Sequence, residues 1–96
     1  MATDGWVTSA ERELQRVVER WRQLPLDHAL SRMPVVRPVV QGLADAVADV
    51  EGRPHDEVPD LGAPAVMDQL TVVTYDAARA GLDPAPELER LRRDLS

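Results

Sequence analysis

The chain has 96 residues, no cysteine and a net charge of −6, from 17 acids against 11 bases. That length makes one domain, large enough to bury a core without staples, and the missing cysteines exclude a disulfide framework or a thiolate site. The acidic balance works against nucleic acid and anionic membrane partners, which such a chain repels at long range.

Every base is arginine, and Lys, Asn, Ile and Phe are absent. Those four residues have AT-rich codons, so the pattern is that of a high-GC genome, expected to be bacterial. It also argues against reading the arginines as phosphate recognition. Val, Leu and Ala dominate the apolar set. A core of such small and medium side chains needs helices that approach closely. The start of the chain, MATDGWVTSAERE, turns polar at once, unlike a signal peptide. No apolar run approaches the roughly 20 residues of a membrane span. A soluble, cytoplasmic protein is expected.

In chain order, residues 1–7 read as a flexible tail, with Trp6 as its only large anchor, ahead of a single helical domain over 8–96. Thr8 and Glu11 fit a capping box. A first helix is predicted from about Ser9 to Leu24, with Leu14, Val17, Val18, Trp21 and Leu24 as its buried stripe. Pro25 ends it, and Asp27 is placed to cap a short turn over His28–Met33. A proline deep in a helix removes a hydrogen bond and clashes with the preceding turn. The second long helix is therefore predicted to begin between Pro34 and Pro38. Val36, Val40, Leu43, Val47 and Val50 give it a seam in alternating steps of four and three. Gly52 is the natural stop.

Residues 52–63, GRPHDEVPDLGA, hold two prolines and two glycines and read as irregular. Such a loop is long for a helix–helix connection, so it either carries function or spans the bundle. Val58 and Leu61 are its expected pins to the core. A third helix is predicted over Pro64–Ala80, with Val66, Leu70, Val73 and Ala77 as its stripe and Gly81 just past its end. A fourth follows Asp83 as N-cap, with Leu88, Leu91 and Leu95 inward and a Glu89–Arg93 pair outward. VVRPVV is the nearest approach to a strand. The expectation is all-α: a small four-helix bundle with one long loop between helices 2 and 3.

The motifs of chemistry are mostly missing. There is no G-x-S-x-G elbow, no phosphate-binding glycine loop and no lysine to complete one. His55, Asp56 and Glu57 put three metal-ligand types together, but a zinc site draws converging ligands from two elements, and the segment reads as a solvated acidic loop. Arg12, Arg16 and Arg20 form a helical row, yet glutamates interleave it. No catalytic residue, cofactor, metal, nucleic acid or membrane is expected.

Two features remain. Six acids against Arg53 alone fall between Asp45 and Asp60, which reads as a solvated face or as a docking surface for a basic partner. On the third helix, Asp68, Val72, Tyr75 and Arg79 share a face opposite the apolar stripe. Tyr and Arg are typical interface anchors. Either the long loop folds over Val72 and Tyr75, or a partner does. The expected function is a small helical protein–protein interaction or regulatory protein that is not an enzyme and that associates with a partner or with itself as a homodimer. The alternative is an accessory or small-molecule-binding subunit of an enzyme system.

Overall fold

A computed structural model describes residues 2–96, and side chains from Ser9 onward. It contains four helices: α1 (Ala2–Gln23), α2 (Leu26–Glu51), α3 (Ala63–Arg79) and α4 (Ala85–Asp94). Among the described residues there is no strand. The helices form an all-α bundle with one long loop between α2 and α3. α2 packs mainly on α3, and α1 mainly on α4, with lesser contacts of α1 on α3 and α2 on α4. The shortest dimension is 17 Å, room for two helix layers at the usual interaxial spacing. No helix among the described residues is long and apolar enough to cross a membrane.

The predicted stripes are the core. Leu14, Val17 and Trp21 of α1 are buried, and Val18 and Leu24 pack against them half-buried. Val66, Leu70, Val73 and Ala77 of α3 are buried, and so are Ala63, Met67 and Thr74 on either side of that stripe. This widened arc is why α3 touches both α1 and α2. Leu88, Leu91 and Leu95 close the core from α4. The N-cap of α4 is Pro84 rather than the expected Asp83; Asp83, one residue earlier, accepts the Ala85 N–H through Oδ1 at 3.1 Å. Helices α2 and α3 end alike. Gly52 and Gly81 take positive φ, and the next residues, Arg53 and Leu82, bond back to Ala48 and Ala77. Both ends are Schellman caps, in which glycine adopts the left-handed conformation without a Cβ penalty.

Two helix starts and one seam residue differ from the sequence reading. α1 starts at Ala2 rather than Ser9. The expectations about Trp6 and the Thr8 cap fall on side chains outside the described residues. α2 does not wait for the prolines: it runs unbroken from Leu26, with Pro34 and Pro38 inside it. The two are four residues apart, so they share one face, and both are exposed. Helices around a core curve with their convex side to solvent, where hydrogen bonds are longest and water replaces a lost donor. Prolines on that side cost least. Val50 is 53% exposed, and Ala48 is buried in its place. A seam in steps of 3.5 drifts by roughly 20° per heptad on a 3.6-residue helix, and by Val50 it has rotated off the core.

Candidate functional site: an acidic cleft beside helix 2

The loop of residues 52–62 does not lie across the outer face of α3. It runs against α2 and is held there mostly by polar side chains. Gln41 Oε1 accepts the Val58 N–H at 2.8 Å, and Gln41 Nε2 donates to the Asp56 carbonyl at 3.0 Å. The same nitrogen donates to Asp45 Oδ1 at 2.8 Å. Arg37 donates to the Val58 carbonyl at 3.2 Å, and Gln69 of α3 donates to the Pro59 carbonyl at 2.9 Å. Backbone groups of an irregular loop need such partners wherever water is restricted. Val58 packs half-buried against the core as expected. Leu61 does not: it is 62% exposed. The loop spends its grip on Gln41, Arg37 and Gln69, and nothing turns Leu61 inward.

Between this loop and α2 lies a cleft of about 730 Å³. Met33, Pro34 and Pro38 give its apolar floor, and Asp45, Asp56, Glu57 and Asp60 stand around it. Arg37, Gln41 and His55 complete the lining. Arg37 reaches Asp60 at 3.8 Å. His55 bridges back to α2, with Nε2 2.7 Å from Asp49 and Nδ1 3.6 Å from Asp45. The hydrogen bond to Asp49 raises the His55 pKa above the ordinary imidazole value against an opposing desolvation, and the charges of Asp45 and Asp49 add to the rise. Asp56 and Glu57 make no ion pair among the described residues. No group of three metal-ligand side chains converges among the described residues.

The residues singled out on α3 are more dispersed. Asp68 and Arg79 are exposed, Val72 is 59% exposed and Tyr75 is 38% exposed. Asp68 and Val72 border a small apolar depression with Val58 and Gln69. Tyr75 sits instead in a groove toward α1, beside Leu14, Val18 and Thr71. Arg79 pairs with Asp76 one turn back on the same helix. The helix brings the four onto one side without joining them into one pocket.

The cleft is the feature that local patterns obscured. Its acids were visible as a charge run. Its walls depend on Gln41, the one uncharged polar side chain with hydrogen-bonding reach inside the α2 seam. Compared with protein-family models, curated proteins and solved structures, the chain matches none of them.

Proposed function

We propose that the chain is a small, non-catalytic helical docking protein that regulates or scaffolds a protein partner, and that the cleft beside α2 is where the partner sits. The observation that carries this is the cleft itself: an apolar floor with four carboxylates against one guanidinium, held in shape by the Gln41 and Arg37 clasps. Interfaces combine an apolar centre with a polar rim in this way. The reading keeps nucleic acid and anionic membrane out, because the rim repels phosphate, and it places the cysteine-free chain in the cytoplasm. The α3 face of Asp68, Val72, Tyr75 and Arg79 is a second contact, used for self-association as a homodimer.

One observation favours the alternative of a small-molecule accessory subunit. The cleft volume falls within the roughly 300–1,000 Å³ of ligand sites. Photo-crosslinking in the native host separates the two. A crosslinking residue at Glu57 should trap a protein, and the same residue at Asp94, on α4, should not. A crosslink pattern indifferent to position, with native mass spectrometry showing a small ligand instead, would overturn the docking reading in favour of the alternative.

A further inference from the structure

The inventory of hydrogen-bonding groups in the cleft narrows what it can hold. Each donor side chain has a partner within the fold: Arg37 the Val58 carbonyl and, by charge, Asp60; Gln41 Asp45 and the Asp56 carbonyl; His55 Asp49. What it offers outward are acceptors. Asp56 and Glu57 have no ion pair among the described residues. Helix geometry adds another. In an α-helix the carbonyl of Pro34 takes the N–H of residue 38, and residue 38 is proline, which has none. Pro34 and Pro38 both line the cleft. A backbone oxygen without its helical donor thus lies beside an apolar floor under unpaired carboxylates.

We propose that the cleft binds a short basic segment of a partner protein in extended form, with Arg or Lys side chains on Asp56, Glu57 and the Pro34 carbonyl, and an apolar side chain on Met33 and Pro38. The proposal rests on reading the cleft as a docking site. Charge complementarity selects a cation, and guanidinium is the side chain with most donors to distribute among carboxylates and carbonyls. Length selects a peptide. From Met33 to Asp45 the cleft follows α2 for about 18 Å at 1.5 Å per residue, which an extended chain covers in about five or six residues. A small organic cation would leave most of that length empty and gain nothing from the apolar floor. A small-molecule site buries most of its ligand, whereas this one is open along its side.

The test uses the full chain and a fluorescein-labelled hexapeptide of alternating arginine and leucine, read by fluorescence anisotropy. A matched glutamate–leucine peptide and spermine are the controls. The arginine peptide should bind with an affinity that falls as salt rises, and the glutamate peptide should not bind. Asp56→Asn with Glu57→Gln should weaken binding by about tenfold. Pro38→Ala restores the missing N–H to the Pro34 carbonyl. It should weaken binding by about fivefold while raising the melting temperature, so lost affinity there cannot be lost folding. Unchanged affinity in both variants overturns the proposal. So does spermine displacing the peptide at equal concentration, which assigns the cleft to small cations, or light scattering in which Asp56→Asn with Glu57→Gln halves the mass, which puts a second copy in the cleft. A protein crosslinked at Glu57 without arginine-peptide binding refutes the basic segment but leaves the docking role standing. No crosslink at Glu57 and no peptide binding refutes both.

Discussion

Replacing Thr74 by valine should stabilise the protein. Thr74 is 2% exposed, in the middle of α3, and its Oγ1 is buried with no hydrogen-bond partner among the described residues. Valine fills the same shape with a methyl group in place of the hydroxyl. Burying a hydroxyl without compensation costs about 1–3 kcal/mol in proteins, and Thr and Val have similar helix propensities. The net gain should be about 1–2 kcal/mol. For a domain of this size, each kcal/mol moves the melting temperature by about 4–8 °C. Urea melts followed by circular dichroism should show a higher midpoint with an unchanged slope, the sign of a stability change rather than a change in compactness. Thr71→Val is the control. Thr71 Oγ1 donates to the Met67 carbonyl at 2.8 Å from a half-buried position, so its loss should fall within about 0.5 kcal/mol. A Thr74→Val protein less stable than the parent would refute the reasoning, since it would mean that the hydroxyl has a partner and that α3 is rotated from the orientation described.

Leu70 is fully buried, so Leu70→Ala should cost about 2–5 kcal/mol and Leu70→Asp should abolish cooperative melting, whereas Asp49→Ala on the exposed face should leave the melting temperature nearly unchanged at neutral pH. The His55 pKa is raised above the ordinary 6.5; a group whose folded pKa is raised lends stability that is complete below the unfolded pKa and lost as pH rises through the folded one. Amide exchange in residues 53–62 should therefore quicken as pH, corrected for intrinsic rates, climbs past neutrality, and Asp49→Asn should move the His55 titration, followed by proton NMR, back toward 6.5. Tyr75→Asp should leave the melting temperature within a few degrees, because the ring is already 38% exposed, and should halve the solution mass measured by light scattering; a parent protein that is monomeric at all concentrations removes the homodimer from the proposal.

The stripes of α1, α3 and α4 were legible because each is a local pattern. Leu88, Leu91 and Leu95 repeat at helical spacing and point inward for that reason alone. The start of α2 is not legible from the proline rule alone, which takes no account of the face that the prolines occupy. Four-residue spacing gives that face: Pro34 and Pro38 lie on one side, and Val36 and Val40 on the other are buried. The charge run from Asp45 to Asp60 was visible, but its concave shape was not. That shape comes from Gln41, whose partners at Asp56 and Val58 are 15 and 17 residues away. Side-chain bonds over such separations leave no period to count. Leu61 was expected inside on hydrophobicity alone, which is weak evidence for any single residue in a loop.

The pairing of helices has a consequence for how the chain assembles. α2 and α3 meet across residues 52–62, while α1 and α4 must meet across residues 24–84. Closing the longer segment is entropically harder by about 1.5 kcal/mol, from the logarithm of the ratio of the two lengths. The α2–α3 hairpin should thus form on the way to the rate-limiting barrier, and α1 and α4 should dock after it. Substitutions inside the hairpin then slow folding, whereas those at Leu88 or Leu91 chiefly quicken unfolding. The α1–α4 layer, tied by Arg92 Nε to Glu13 Oε2 at 3.0 Å, becomes the part of the molecule that sets its lifetime in the folded state, and the part where added contacts would lengthen that lifetime without touching the cleft.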